Sequence, residues 1–444
     1  MILHIINTYK SVEYIDDCQH NFRFLTTKCK IISPINMKAQ ILILMMGIST
    51  VVYAQKNCQS NRAPFIPLND LGTGYFRGHQ GGLYPGGVNY PSGNYLQDLS
   101  NYSRSIQALD SNGLPSAKGH IVFIGVGASN PRTEFQAFQS VLDTFQNLNS
   151  RLQIVNTCIG GQGVQKMNQL SDNYWKQADK MMDSMGLHNS QVQVAWLETE
   201  NTASPDSSFP GGPQALLKDI KQLLTMMKQK YPNLKLCYLS ARTYSGWVDG
   251  GTGRGLEYPR DYYNGWSLKW LIDSAIAQTN SGFEYKGSTP SIPMPVYATY
   301  NWTNGEDVRN DGFSVDCETD FGGDGLHLSA AGELKMGLEL FKFFSRDKQA
   351  QTWFLEQHGT SVEKNYLDEF VIYPNPGKGY IHVAKGLAIG TTITIYNAMM
   401  EIVNTIEIMA DNNCIDLTAY TDGIYFIQVA NSEGQFVKKY VKMQ

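Results

Sequence analysis

The stretch Gly323-Asp324-Gly325-Leu326-His327-Leu328-Ser329 sets an Asp three residues before a His, ahead of a helical pattern. At that spacing a carboxylate reaches the Nδ1 side of the imidazole, fixes its tautomer and stabilises its cation. Such a pair needs a nucleophile and oxyanion donors from elsewhere in the chain. Three earlier polar blocks offer them: Gly127-Ala128-Ser129-Asn130, Gly160-Gly161-Gln162-Gly163 and Glu198-Thr199-Glu200-Asn201. Together they make a kit for acyl transfer. Ser129 attacks, His327 takes its proton and Asp324 orients His327, while the backbone amides of Ser129 and Gly161 and the side chain of Asn201 hold the oxyanion. This chemistry calls for no metal and no cofactor. Each block also has a bland reading. A Ser after a strand is usually a turn or cap residue, paired Gly residues serve tight turns, and an Asn opening a polar loop can simply cap it. The order of the four blocks favours the chemical reading over four separate accidents.

The elements that must carry these blocks are legible in the hydrophobic pattern. Ile121–Val126 is a continuous apolar run, the mark of a strand buried on both faces, and Leu152–Val155, Val192–Leu197, Leu234–Leu239 and Pro295–Tyr300 follow it. Helical spacing separates them: Phe135 to Leu148, Val164 to Met185, Pro213 to Lys230, Trp266 to Ala277, and a last helix after Ser329, a suitable N-cap. The alternation predicts a doubly wound parallel sheet covered on both faces. Sites in such sheets form at the carboxyl ends of strands, where Ser129, Gly161 and Asn201 each fall.

The order Ser, Gly, Asn, Asp-x-x-His on an α/β sheet resembles the SGNH (GDSL-like) hydrolase superfamily over roughly residues 119–346. The resemblance implies a three-layer α/β/α fold, flavodoxin-like, with esterase, lipase or carbohydrate-deacetylase activity and no metal. By position it assigns Ser129 as nucleophile, Gly161 and Asn201 as the second and third blocks, and Asp324 and His327 as the last. Two blocks depart from the family pattern. The first reads Gly-Ala-Ser where Gly-Asp-Ser is usual, and the third reads Glu-Thr-Glu-Asn-Thr where Gly-x-Asn-Asp is usual. The alternative is an inactive surface protein of the same fold that binds glycans.

Two features bear on substrate. Arg242 follows the fourth strand and is placed to hold an anionic or polyhydroxyl group. Residues 244–302 are rich in aromatics, including Tyr244 and Trp247, and aromatic faces suit sugar rings. Arg242, Tyr244 and Trp247 are therefore candidate substrate-binding residues, and an acylated carbohydrate or other small ester is the expected substrate. The competing expectation is core packing, with Trp266 and Trp270 four apart on one inward helix face.

Composition is that of a well-cored protein: 444 residues, 42% hydrophobic, 17% charged and a net charge of −4. That charge, with no basic stripe, leaves no case for a nucleic-acid partner. Met37-Lys38 opens an apolar run to Val52 that ends Val52-Tyr53-Ala54, the pattern of a signal peptide over 37–54 cut before Gln55 and too short for a stable membrane span. Residues 1–36 fit no such pattern and read as a non-structural or untranslated extension. Five of the 7 Cys follow the cut, with no CxxC spacing, so disulfides are open to them and a zinc site is not expected. Residues 55–118 form a Gly/Tyr/Pro-rich arm that either wraps the next domain or shapes its site through Tyr75, Arg77, His79 and Tyr84. The expected domain runs 119–346, with a linker over 347–365.

Residues 366–444 read as a small all-β sandwich. Tyr373-Pro374-Asn375-Pro376, Leu417 through Gly423-Ile424-Tyr425, and Lys438-Lys439 resemble the C-terminal sorting domain of the type IX secretion system. That resemblance implies the secretion machinery as a partner. It also implies a secreted or cell-surface location on a Gram-negative bacterium, reached through the periplasm.

Overall fold

The computed structural model describes residues 55–443, apart from 61, 144, 250–255, 279–281, 357–371, 388–391, 400, 408–411 and 432–433. The expected signal peptide, residues 1–36 and the second half of the expected linker lie outside the described residues.

In chain order the elements are β1 (Gln55–Lys56), α1 (Leu68–Leu71), β2 (Tyr75–Phe76), β3 (His79–Gln80), α2 (Gly93–Arg104), β4 (Ile121–Gly127), α3 (Ser129–Leu142) and β5 (Leu152–Asn156). Then come α4 (Asn173–Ser184), β6 (Val192–Glu198), α5 (Gly211–Lys230), β7 (Leu236–Ala241), β8 (Val248–Asp249), α6 (Arg260–Ala277), β9 (Met294–Tyr300), α7 (Cys317–Asp320), α8 (Ala330–Arg346) and α9 (Lys348–Phe354). The C-terminal unit holds β10 (Ile372–Tyr373), β11 (Tyr380–Leu387), β12 (Thr392–Tyr396), β13 (Ile402–Glu407), β14 (Asn412–Asp416), β15 (Gly423–Asn431) and β16 (Gly434–Lys442).

The central sheet has the order β5-β4-β6-β7-β9 and is parallel throughout, with helices packed against it. Every residue of β4, β6 and β7 is buried, which is why these strands read as unbroken apolar runs. The chain leaves β4 for β5 on one side, then crosses back to β6 on the other. That reversal opens a crevice at the carboxyl ends of β4, β5 and β6. The fold class is as expected: an α/β unit with a doubly wound parallel sheet, followed by antiparallel β-sheets. The latter are a three-stranded sheet β10-β11-β14 and a four-stranded sheet β13-β12-β15-β16, with their own core of Ile381, Ile393, Ile395, Leu417, Ile427 and Tyr440.

Three local expectations change. Helix α3 starts at Ser129 and ends at Leu142, short of Phe145 and Leu148. The α/β unit runs beyond 346, because α9 buries Ala350, Trp353 and Phe354 in the main core where a polar linker is expected. The arm holds a true amphipathic helix, α2, that buries Tyr95 and Leu99. Among the arm residues singled out, Tyr84 is buried and its hydroxyl accepts from the Tyr297 N–H at 3.0 Å, a structural role. Phe76 and His79 pack against Phe209 and Trp266, and Arg77 lies over the Phe76 and Phe209 rings.

Candidate active site

Ser129 is the first residue of α3, separated from the end of β4 at Gly127 by the single residue Ala128. A Cβ on Gly127 would lie 2.4 Å from the Glu198 carbonyl oxygen, so only Gly lets β4 pass this close to β6. Gly125 has the same duty, since a Cβ there would sit 2.7 Å from the Phe135 ring on α3. These contacts hold the start of α3 down on the sheet edge. Helix α8 is drawn against α3 at Gly337, where a Cβ would lie 2.6 Å from the Phe138 N. One helix begins with Ser129 and the other follows the Asp/His turn, so this close crossing joins the two halves of the site.

The join is direct. Ser129 Oγ lies 3.0 Å from His327 Nε2, and His327 Nδ1 lies 2.6 Å from Asp324 Oδ2. The second carboxyl oxygen of Asp324 accepts from the backbone N–H of Leu326 at 3.0 Å and of His327 at 2.9 Å. The carboxylate is thus held by the turn it belongs to. Partial burial pushes the Asp324 carboxyl up, but the His327 ring and these two N–H groups outweigh it, and the group sits below the ordinary carboxylate range. The pair remains open to solvent, with the His327 side chain 46% exposed and that of Asp324 34%. A substrate can therefore reach the imidazole.

Gly161 follows β5 with φ +72°, and nothing lies within 4 Å of its missing Cβ. This turn is exposed backbone of the kind an oxyanion site uses. The Lys166 ammonium donates to the Gly161 carbonyl at 2.9 Å and pins the turn. Ser129 heads a 14-residue helix, so its amide belongs to the first turn, where N–H groups have no intrahelical partner and the helix dipole favours negative charge.

Asn201 does something other than expected. Its amide donates to Asp219 Oδ2 at 2.7 Å, and its side-chain oxygen accepts from the N–H groups of Ala203 and Ser204 at 3.0 and 3.1 Å. It closes its own turn and ties it to α5, which is the work of a cap. The substrate-binding candidates also fall away. Arg242, Tyr244 and Trp247 are all buried. Tyr244 packs on Trp247 and Trp302, and Trp247 packs on Phe321. The Arg242 guanidinium donates to the Leu256 carbonyl at 3.2 Å. Sequence spacing places these residues near the right strand end but cannot tell which way a side chain leaves it.

Three contributors escaped the sequence reading. Asn130 donates through its side-chain amide to the Leu326 carbonyl at 3.0 Å, bridging the start of α3 to the Asp/His turn. Its only signal is adjacency to Ser129. The segment after Gln55 straps the same turn from the other side: Lys56 N–H donates to Gly323 O, and Asn57 N–H to Trp247 O, both at 2.8 Å. A disulfide, Cys58–Cys317, and the Lys56 ammonium on the Cys317 and Glu318 carbonyls at 3.2 Å complete the strap. The third is a pair of buried glutamates, Glu134 on α3 and Glu198 at the end of β6. Cys158 and Cys237 are free and buried. Among the described residues no group of His, Cys, Asp or Glu is arranged to hold a metal ion, and no helix is long and apolar enough to cross a membrane.

No curated protein matches the chain. Among solved structures, the chain is similar to a protein assigned as an SGNH hydrolase from Slackia heliotrinireducens, at 11% identity and TM-score 0.30 over 51% of this chain and 99% of that one. It is also similar to a carbohydrate acetylesterase from Xanthomonas citri, at 10% identity and TM-score 0.27 over 71% of this chain and 80% of that one. Residues 371–443 match the family described as the secretion system C-terminal sorting domain. The chain therefore ends in a sorting domain, the mark of a secreted or cell-surface protein.

Proposed function

We propose that this protein is an exported serine hydrolase of the SGNH type that cleaves esters of carbohydrates, releasing the acyl group. The observation that carries the reading is the continuous relay from Ser129 Oγ through His327 to Asp324, at 3.0 and 2.6 Å. In this mechanism His327 Nε2 takes the Ser129 proton as Oγ attacks the ester carbonyl. The oxyanion forms against the N–H groups of Ser129 and Gly161. His327 then returns its proton to the departing sugar oxygen, leaving an acyl-serine. Water, deprotonated by His327, attacks that ester and frees the acid and Ser129. Asp324 stays ionised throughout and stabilises the imidazolium.

Asn201 is not assigned to the oxyanion hole, which leaves two backbone donors. Removing one such donor typically costs about 10²–10³ in rate, so each backbone donor matters. The carbohydrate part of the reading rests on the family resemblance and the exported setting, because Tyr244 and Trp247, the expected sugar platform, are buried. The same burial removes support from a purely glycan-binding role. The test is hydrolysis of p-nitrophenyl acetate and acetylated glycans by the mature chain and by Ser129→Ala. Loss of about 10³-fold or more in kcat in the variant is expected for a triad nucleophile. Equal, slow hydrolysis by both proteins overturns the reading.

The sorting domain is read as the passport for the type IX machinery of a Gram-negative bacterium, with residues 37–54 directing the earlier passage into the periplasm.

A further inference from the structure

Glu134 and Glu198 pose an electrostatic problem directly under the nucleophile. Glu134 lies on α3, five residues after Ser129, and is 0% exposed. Glu198 ends β6, pairs with Gly127 in the sheet, and is 2% exposed. The two buried carboxyls act on each other electrostatically. Yet both oxygens of Glu134 and Oε2 of Glu198 are sealed from solvent with no donor to meet them. Two ionised carboxylates are acceptors only and cannot bond to each other. Leaving such oxygens ionised and unpaired in the interior carries a heavy desolvation penalty.

Nearby charge does not remove the problem. The Arg242 guanidinium is the cation that acts on both groups, and it also serves Glu200 and Asp261. Glu333 on α8 adds negative charge, and the buried Cys158 thiol beside the pair is a neutral group held well up by burial. Arg132, on the first turn of α3, acts on that thiol. Arg260 pairs with Glu200 at 2.8 Å, so Arg242 is left as the guanidinium acting on Glu134, Glu198 and Asp261, and an excess of negative charge remains that protons can reduce.

We propose that Glu134 and Glu198 share one proton, and that this neutralised pair is a positioning device which seats the start of α3, and with it Ser129, on the ends of β4 and β6. A single O–H between the carboxyls turns two repelling acceptors into a donor and an acceptor. It ties the nucleophile helix to the strand next to its own. The positioning role rests on the hydrolase reading above; the shared proton does not.

Burial raises both carboxyls above the ordinary glutamate range. A group raised in the folded state stabilises the fold below its unfolded value, and that contribution is lost as pH climbs through the raised value. Loss of the proton should therefore loosen the seat on the alkaline side.

The test uses the full mature chain, with Glu134→Gln as the conservative variant and Glu134→Leu as the disruptive one. Infrared spectra of the wild type should show a protonated-carboxyl C=O band at neutral pH that vanishes in E134Q. The denaturation midpoint of the wild type should fall with rising pH. That of E134Q should stay level, because an amide N–H replaces the shared proton at every pH. The wild-type kcat/KM for p-nitrophenyl acetate should fall at alkaline pH with the midpoint, and E134Q should shift that limb upward while E134L lowers the midpoint at all pH values. Absence of the band, with identical pH dependence in wild type and E134Q, overturns the shared proton. The band present, with the alkaline limb of kcat/KM unmoved in E134Q, overturns the positioning role. A wild type that hydrolyses nothing overturns the hydrolase reading and leaves the infrared result to decide the proton alone.

Discussion

In the proposed relay the carboxylate that orients the imidazole must stay ionised, and the surroundings of Asp324 favour that form. Its depressed value comes from groups within the same short turn: the His327 ring and the N–H groups of Leu326 and His327. A group lowered in the folded state stabilises the fold above its unfolded value, and the contribution is lost as pH falls through the lowered one. Asp324→Asn should therefore flatten the acid side of the stability curve, which denaturant titration from neutral to acid pH would reveal. Its kinetic effect should be larger. An Asn in place of the orienting Asp presents the wrong tautomer and should lower kcat by up to about 10⁴ with KM little changed. A variant with full kcat would remove Asp324 from the relay. The Asp324–His327 contact was legible because it is local: three residues of spacing suffice to bring Asp324 Oδ2 to His327 Nδ1. Asn201 and Arg242 were misjudged because their neighbours Asp219 and Leu256 lie 18 and 14 residues away in the chain and claim their donors.

The loop elements of the site depend on anchors that no periodicity announces. The turn from Gly322 to His327 is short and has φ +69° at Gly325, where a Cβ would lie 2.8 Å from the Trp247 carbonyl oxygen. It is clamped between Asn130, Trp247 and the strand at Gln55–Lys56, and the strand is in turn fixed by Cys58–Cys317 across 259 residues of chain. Cys58→Ser should cost about 2–5 kcal/mol of stability, as loss of a native disulfide from a secreted domain commonly does. Because the strap holds His327's turn, kcat should fall more than KM rises. Thermal melts with steady-state kinetics on the oxidised wild type and the variant check both points. Unchanged kcat in a destabilised protein would reduce the strap to a stability device. The arm before residue 119 thus answers the question its composition left open, acting as a wrap that also supports the site.

At the scale of the whole molecule, the described residues form two separate cores, one running through the parallel sheet and its helices, the other confined to the C-terminal β-sheets that carry the sorting match. A chain ending before residue 371 should keep its hydrolytic activity and lose export, since the sorting match lies wholly within 371–443. Fractionation of expressing cells into medium, outer membrane and periplasm, with activity assayed in each, tests this. Truncated protein appearing in the medium at wild-type levels would contradict the assignment.

The strands, their order along the chain and the Asp/His spacing were all readable in advance, because burial on both faces forces continuous apolar runs and a three-residue turn leaves little freedom. The β-strand motifs of the sorting unit were readable for the same local reason. The oxyanion role expected of Asn201 and the sugar platform expected of Arg242, Tyr244 and Trp247 depended on side-chain direction, which packing settles and spacing does not. The strap, the Asn130 bridge and the Glu134–Glu198 pair lay beyond reach altogether. Each joins residues far apart in the chain, and only the folded contacts determine which polar atoms find partners and which two carboxyls are left facing each other.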